Sequence, residues 1–379
     1  MTSPIGSVLI DATSVPPDRG GVGRYLDGII PALAEAGASV SVICKPDDAE
    51  HFRASGLTVL TAPASTASTA RRFVWEQLSL PGVARRAGVD TIHSPHYTFP
   101  LLTRRSRVVT VHDLTFFSHP QLHTRVKRLF FRTWVRLSRA FRTVVVAPSA
   151  ATASEYVRIT GADPERVVVA LHGYDQDHFH RPSAPEVAEF AASLTPPVDR
   201  WVAFLGTLEP RKNVVALIEG FERATAATPA SERPSLLLAG GPGWDTAIEP
   251  AIAAAVGRGF DVRAVGYLPL DHLSSFLGGA ELVAYPSLGE GFGLPVLEAM
   301  ATGACVLTTR RLALPEVGGD AVEYTETDSS AIGAALTHLL QNPAERGKLG
   351  EAAVVRAGEF TWARCAASHT DAYRRAEAR

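Results

Sequence analysis

With 379 residues the chain is longer than a single hydrophobic core usually organises, so two domains are expected. A hydrophobic content of 46% with 20% charged residues belongs to an ordinary globular chain and excludes a disordered or fibrous one. The net charge of -2 conceals an asymmetry: residues 1 to 185 carry 21 Lys and Arg against 15 Asp and Glu, and the remainder 16 against 24. A basic half of this kind suits a polyanionic or membrane-surface partner; no nucleic-acid partner is expected. Cys44, Cys305 and Cys365 have neither metal-ligand nor redox spacing. No apolar run reaches 18 residues, and the short one near the start is not preceded by a basic region. These features lead to the expectation of a cytoplasmic protein.

In chain order, Val8 to Asp11 reads as a first strand, followed by a loop GGVGRY (Gly20 to Tyr25), a helix through about Glu35 and a strand at Ser39 to Cys44. A glycine-rich turn between strand and helix can approach a phosphate, but the spacing is not that of a dinucleotide-binding turn and plain turn geometry is the alternative. Short apolar runs recur at Val89 to His93, Val108 to His112, Thr143 to Ala147 and Val167 to Leu171. Their alternation with helical stretches implies a parallel sheet with helical crossovers. HSPHYTFP (His93 to Pro100) and VHDLTFF (Val111 to Phe117) follow two of these strands, which makes His112 a candidate polar group of a cleft. From His123 to Arg142, the residues Arg125, Arg128, Arg132, Arg136 and Arg139 share one helical stripe, opposite Val126, Phe130, Trp134, Leu137 and Phe141. This basic amphipathic helix is either a core-facing helix with a solvated arginine face or a contact for anionic lipid or a diphosphate-linked acceptor. Asp175 and Asp177 have a metal-binding spacing without a second ligand cluster, so no metal is expected.

Ala184 to Pro197 reads as a linker, after which the pattern restarts with strands at Val202 to Gly206, Ser235 to Ala239, Val262 to Val265, Leu282 to Tyr285 and Cys305 to Thr308. GTLEPRKN (Gly206 to Asn213) follows the first of these and opens a helix for which Asn213 would be the N-cap. Arg211 and Lys212 beside helix-terminal N–H groups make an anion site. AGGPGW (Ala239 to Trp244) is a further glycine loop. GYLP (Gly266 to Pro269), with Leu268, is a candidate for reading a nucleobase edge. The most telling stretch is GEGFG, which leads into a helix from about Leu294 to Thr302 with Pro295 in its first turn. The turn points unpaired backbone N–H groups and the positive end of the helix dipole at an anion such as a phosphate. Glu290 and Glu298 flank the turn, too far apart for a hydrolytic pair, and more plausibly hold two parts of one long ligand.

The Glu290-x7-Glu298 pattern within EGFGLPVLEAMA resembles the retaining family-4 glycosyltransferases of GT-B fold. GTLEPRKN, LLLAGGPGW, VGYLP and PEVGGDA follow that family's order, as do GGVGRY, VHDLTFF, APSAAT and HGYDQDHF in the first half. His172 stands where the family often has Asn. The resemblance implies an α/β fold of two doubly wound Rossmann-like domains facing across a cleft: residues 1–185 for the acceptor, 186–360 for the nucleotide sugar, and 361–379 as a helix crossing back. It implies that Glu298 binds the ribose, that Glu290 contacts the donor sugar, and that Arg211 and Lys212 neutralise the diphosphate, assisted by Phe292, Gly293 and Leu294. Gly21 and Gly23 would close over the donor and His112 would line the acceptor side. The expected reaction is metal-independent, needs no cofactor, and moves a hexose, first of all mannose from GDP-mannose, to a glycan or lipid-linked acceptor at the inner face of a membrane. A UDP-hexose or nucleotide diphosphate rhamnose donor, a non-catalytic sugar-nucleotide-binding subunit, and a hydrolysing epimerase are the competing readings.

Overall fold

The computed structural model describes residues 6–16 and 19–378. The chain folds as two compact units, the first formed by residues up to Gly173 and from Thr361 onward, the second by Tyr174–Phe360.

The sheet of the first unit contains β1 (Val8–Asp11), β2 (Val40–Cys44), β3 (Thr58–Thr61), β4 (Thr91–Ser94), β5 (Ser106–Thr110), β6 (Val144–Ala147) and β7 (Val167–Val169). Its order is β3-β2-β1-β4-β5-β6-β7, parallel throughout. The second sheet contains β8 (Trp201–Leu205), β9 (Ser235–Ala239), β10 (Val262–Gly266), β11 (Leu282–Tyr285), β12 (Val306–Thr309) and β13 (Glu323–Thr325), in the parallel order β10-β9-β8-β11-β12-β13. Central strands such as β1, β6, β8 and β9 are buried along their whole length, which is why they read as unbroken apolar runs: both faces of a parallel sheet are covered. The chain reverses direction across each sheet between β1 and β4 and between β8 and β11. Loops at the carboxyl ends of strands flanking such a reversal form the crevice where doubly wound folds take ligands. GTLEPRKN leaves β8 and GEGFG follows β11, so the topology sets these two loops side by side.

Several local expectations give way to the structure. GGVGRY is the first turn and a half of the helix Gly20–Glu35, not a loop before it; the chain enters through Arg19 at φ 55°. Ala184–Ser193, read as linker from its Ala and Pro content, is a helix with a capping box between Ser183 and Glu186 and with Phe190 in the core. Pro185 starts that helix rather than breaking it. The division between the units falls at Gly173 and Tyr174 rather than at 185–186. Phe179 packs into the second core, and Ser274 ties down the backbone of His178 and His180. Asn213 does not cap the helix Val214–Thr225: at φ 60° it sits in the left-handed region that Asn tolerates, and its amide donates to Thr327 O (2.7 Å) and Pro286 O (3.3 Å). The sheet-edge strands β3 and β13 were not expected from the sequence; they are short and only half-buried or exposed.

The last helix, Trp362–Glu377, packs on the first unit, with Cys365, Ala366, Ala372 and Tyr373 in one core with Tyr25, Leu26 and Ile29. Gly28 permits the approach, since a Cβ there would lie 2.0 Å from Trp362 Cε2. Buried polar groups then fix the helix by a single directed chain of hydrogen bonds. His369 Nδ1 donates to Cys365 O (2.8 Å), which makes its Nε2 the acceptor for Tyr25 OH (2.6 Å). Tyr25 OH accepts from Thr110 Oγ1 (3.1 Å), which accepts from His93 Nε2 (2.9 Å), and His93 Nδ1 accepts from Tyr373 OH (3.0 Å). Each ring nitrogen in the chain has one role, and Tyr25 OH and Thr110 Oγ1 each accept one bond and donate one, an arrangement that requires both imidazoles to be neutral.

On the helix Arg125–Ala140 the arginine stripe is less solvated than its periodicity suggests. Arg132 Nε donates to Phe116 O (2.8 Å), Arg132 and Arg136 lie over the Phe117 ring, and Arg139 Nε donates to Gly161 O (3.2 Å). Trp134 and Val135 are buried, whereas Val126 and Leu129 on the first turns are exposed.

Candidate active site

Glu290 lies in the loop after β11 and is only 6% exposed. Its carboxylate takes four donors from the protein itself. Oε1 accepts from Ser287 Oγ (2.7 Å), Lys212 Nζ (2.8 Å) and Tyr285 OH (3.0 Å), and Oε2 accepts from Arg211 Nη1. Arg211 also donates to Gly289 O (2.8 Å) and to Glu209 Oε1 (2.6 Å), and Lys212 donates to Tyr285 OH. Leu288 N in turn donates to Arg211 O (2.9 Å), so the two loops are stitched together by backbone as well as by charge.

The result is a compact cluster of two carboxylates, Glu209 and Glu290, and two cations, Arg211 and Lys212, all poorly exposed. Burial alone pushes the Glu290 carboxyl up, but Arg211 and Lys212 outweigh it and hold the group at about 2. Burial, reinforced by Arg211, lowers Lys212 in spite of the opposing pull of Glu290 and Glu209. Both shifts are consistent, because the carboxylate has two cations against it while the lysine has a cation beside it and little water around it. Burial and the Glu290 charge raise Tyr285, which stays a phenol. A carboxyl held at about 2 remains ionised at neutral pH and is a poor general base or acid there, so Glu290 acts as a fixed charge.

The resemblance implies that Glu290 contacts hydroxyls of the donor sugar; in the structure its carboxylate is bound by protein donors. Three protein donors crowd Oε1 and Arg211 donates to Oε2, so the carboxylate is held firmly by its own loop and the neighbouring one. Glu209, Tyr285 and Ser287, which the sequence reading passed over, are as much part of the cluster as the motif residues. Glu209 stood inside the quoted GTLEPRKN, but its pairing with Arg211 two residues on has no signature in spacing.

Glu298 lies in the helix Leu294–Ala301 and is 2% exposed. Gly293 precedes the helix at φ 104° and, as a glycine, supplies no side-chain cap itself. The backbone conformation at Gly293 favours glycine, and a Cβ there would also press on the end of the Leu314 side chain, 2.9 Å away. Phe292 is buried in the core and Leu294 and Leu268 pack partly against it. Two of the three glycines of AGGPGW are explained by the neighbouring loop: a Cβ on Gly240 would be 2.1 Å from Gly206 O and one on Gly243 1.9 Å from Leu208 O. Their freedom serves the packing of two backbones.

Arg211, Lys212 and Glu290 are in direct contact within the second unit, which also contains Leu268, Phe292, Gly293, Leu294 and Glu298. Gly21, Gly23 and His112 belong to the first. Gly21 is exposed with open space around its missing Cβ, but Gly23 is buried and a Cβ there would lie 2.5 Å from Arg19 Cβ. Gly23 therefore answers to Arg19, whose guanidinium pairs with Asp27 and Asp48. His112 is half-buried among Tyr25, Tyr97 and His172. Its Nε2 donates to Pro95 O (2.7 Å), which leaves Nδ1 as the acceptor nitrogen of a neutral ring. Burial lowers its basicity against the opposing effects of Pro95 O and Asp113. Asp175 is not arranged as a metal ligand pair with Asp177; its carboxylate accepts from the N–H groups of Asp177 and His178 and contacts the His178 ring.

Two family models match the chain, Glycosyltransferase Family 4 over residues 19–178 and Glycosyl transferases group 1 over residues 199–342. The chain is a family-4 glycosyltransferase. The transferase is 28% identical over 286 residues to O-antigen chain mannosyltransferase B of Escherichia coli, a match covering 74% of this chain and 73% of that one. It is 32% identical over 246 residues to D-inositol 3-phosphate glycosyltransferase 2 of Catenulispora acidiphila, covering 61% of this chain and 56% of the relative. Among solved structures, the glycosyltransferase superposes with a TM-score of 0.75 and 18% identity on Anabaena HepE in complex with UDP-glucose, covering 96% of this chain and 97% of HepE. It superposes with a TM-score of 0.73 and 17% identity on WaaG, a glycosyltransferase involved in lipopolysaccharide biosynthesis, covering 96% and 98%. These neighbours share the GT-B fold, with two Rossmann-like parallel sheets, that the resemblance implied for this glycosyltransferase.

Proposed function

We propose that the protein is a retaining mannosyltransferase that uses GDP-mannose to extend a glycan or lipid-linked acceptor of a cell-surface polysaccharide. The observation that carries this reading is the Glu209, Arg211, Lys212 and Glu290 cluster at the strand reversal of the second sheet, in the loops that lead to the helix Leu294–Ala301. The similarity to an O-antigen chain mannosyltransferase supports the choice of sugar and acceptor class.

On this reading Arg211 and Lys212 take the diphosphate charge, with backbone N–H groups of Phe292, Gly293 and Leu294, in the place a divalent cation holds in other transferases. Glu298 binds the ribose hydroxyls and the loop at Leu268 takes the base. The diphosphate draws on the same two cations that Glu290 now holds, and a sugar hydroxyl replaces one of the Glu290 donors as it enters. His112, through Nδ1, accepts from a hydroxyl. Gly21 is kept as a point of close approach, and Gly23 is assigned no ligand. In the reaction the bond from the anomeric carbon to the phosphate oxygen breaks while the acceptor oxygen bonds that carbon on the same face. The acceptor proton passes to the departing phosphate oxygen, giving the extended acceptor and GDP. Stabilising the departing charge by fixed cations supplies much of the rate.

The UDP-glucose in the HepE structure favours a second reading, the same site with a UDP-hexose. Incubation of the protein with GDP-mannose, UDP-glucose and dTDP-rhamnose, each with a diphosphate-linked lipid glycan, separates them. The reading expects mannose transfer with the α configuration of the donor preserved in the NMR coupling of the product. An inverted product contradicts retention, and transfer from UDP-glucose alone moves the assignment to the second donor.

A further inference from the structure

On the helix Thr69–Leu78 the buried residues are Trp75 and Glu76. Trp75 packs with Leu9 of β1 and Ile92 of β4, whereas Val8 and Ile10 pack with Tyr373, so this helix covers the face of the sheet opposite the last helix. Glu76 is fully buried there, and its Oε2 accepts from Thr98 Oγ1 (2.7 Å) and from Arg72 Nη1 (3.0 Å). Burial, and after it the Asp11 charge, push this carboxyl up to about 7 against the pull of Arg72 and Thr98. A buried acid carries a cost, and an apolar side chain of similar size would fill the same space more stably. What the carboxyl supplies, and an apolar residue would not, is a directed acceptor for Thr98.

Thr98 closes a strained turn in the loop that follows β4. Its N–H donates to His96 O (2.5 Å), a three-residue turn centred on Tyr97, and Tyr97 stands at φ 51°. A turn of this kind with positive φ is the rare, strained form, and a residue other than glycine persists there only where its surroundings over-determine it. The helix constrains the turn from one side: Glu76 holds Thr98, Gln77 Nε2 donates to Phe99 O (3.0 Å), and Gln77 Oε1 accepts from Leu101 N (3.1 Å). From the other side Tyr97 N donates to Thr110 O (3.2 Å), and the Tyr97 hydroxyl accepts from Asp113 N (3.0 Å) and donates to Asp113 O (3.2 Å). Pro95, two residues before Tyr97, presents the carbonyl that accepts from His112 Nε2 and so leaves Nδ1 as the acceptor. We propose, resting on the reading that His112 Nδ1 accepts from a substrate hydroxyl, that Glu76 is a positioning residue for the transfer reaction. Through Thr98 it holds the strained turn at Tyr97, and with that turn the Pro95 carbonyl that orients His112. Glu76 itself has no exposed surface and touches no substrate.

The test is NMR of the intact protein with ring-nitrogen-labelled histidine, the His112 signals being identified by their loss in His112→Asn. The parent should show a His112 ring protonated at Nε2 alone. Thr98→Val keeps the shape of the side chain and loses the hydroxyl, so it should shift or broaden the His112 signals toward mixed tautomers, and Thr98→Ser should restore them. Glu76→Met should reproduce Thr98→Val, and the double variant should go no further than either single one, because each removes the same bond. The buried His93 and His369 rings should keep their signals throughout, which separates a lost orientation from a lost fold. In turnover, Thr98→Val should lower kcat roughly 10- to 100-fold, while binding of GDP, assigned to the second unit, stays at the parent value. Unchanged His112 signals in Thr98→Val, failure of Thr98→Ser to restore them, or loss of the His93 and His369 signals along with those of His112 overturns the proposal. So does a parental kcat in a Thr98→Val protein whose His112 signals have moved. Absence of transfer by the parent counts against the proposed function, and the His112 signals still decide whether Glu76 orients that ring.

Discussion

Glu290→Gln tests whether the carboxylate serves chiefly to hold two buried cations. The glutamine keeps one acceptor oxygen and introduces an NH2 group among Ser287, Tyr285, Lys212 and Arg211, three of which donate to that side of the residue now. Lys212 is left buried with only Glu209, 3.9 Å away, to compensate it. Removing one partner of a buried pair costs about 3–5 kcal/mol. At about 2–4 °C per kcal/mol for a domain of this size, the second unit should melt roughly 6–20 °C lower. The same substitution releases Arg211 and Lys212 from competition, so GDP should bind at least as tightly as to the parent by calorimetry, even though turnover falls. A melting temperature within about 2 °C of the parent, together with weaker GDP binding, would falsify the anchoring role and make Glu290 a ligand contact only.

Two further outcomes follow from the packing and the ionisation of the fold. Gly240→Ala forces a Cβ to within 2.1 Å of Gly206 O at φ 138°, whereas Gly241 has open space. The first should destabilise the second unit by roughly 1–3 kcal/mol or more and the second by far less; equal melting temperatures for the two would show that the loops do not pack as described. The buried histidines predict acid sensitivity of the first unit: burial lowers His93, His112 and His172, takes His96 to about 3 and takes His369 to about 4. An unfolded histidine titrates near 6.5, so the unfolded chain binds more protons below that pH. The stability is therefore full above about 6.5 and is lost as pH falls toward the folded values, with His369 alone contributing about 3 kcal/mol. Glu76, which burial and Asp11 push up to about 7, takes its proton in the native state over the same window and offsets about one histidine. The melting temperature should fall between pH 7 and pH 4.5, more steeply in Glu76→Gln, and a flat profile in both would contradict the neutral hydrogen-bond chain from Tyr373 to His369.

What the sequence disclosed was whatever is written in contiguous residues. The apolar runs named most strands because a parallel sheet buries both faces, and the glycine loops lay where the topology places ligand loops. The pairing of Glu290 with Arg211 and Lys212 spans 79 and 78 residues, and that of Tyr25 with His369 spans 344; no local period encodes either. The expectation for Asn213 failed because its backbone turned left-handed, which removes the side chain from capping geometry. Ala184–Ser193 was lost to composition, since Ala and Pro mark a helix start as readily as a linker.

The central claim is a nucleotide diphosphate sugar site in the second unit whose charge is met by Arg211 and Lys212. Thermal unfolding with GDP, UDP and dTDP, each with and without a divalent cation, addresses it most directly. A ligand at 100 times its dissociation constant adds about 2.7 kcal/mol. The account predicts that one nucleotide, GDP first, raises the melting temperature by several degrees with or without the cation, and that Lys212→Ala abolishes the shift. A shift that appears only with the cation, or no shift with any of the three, contradicts it.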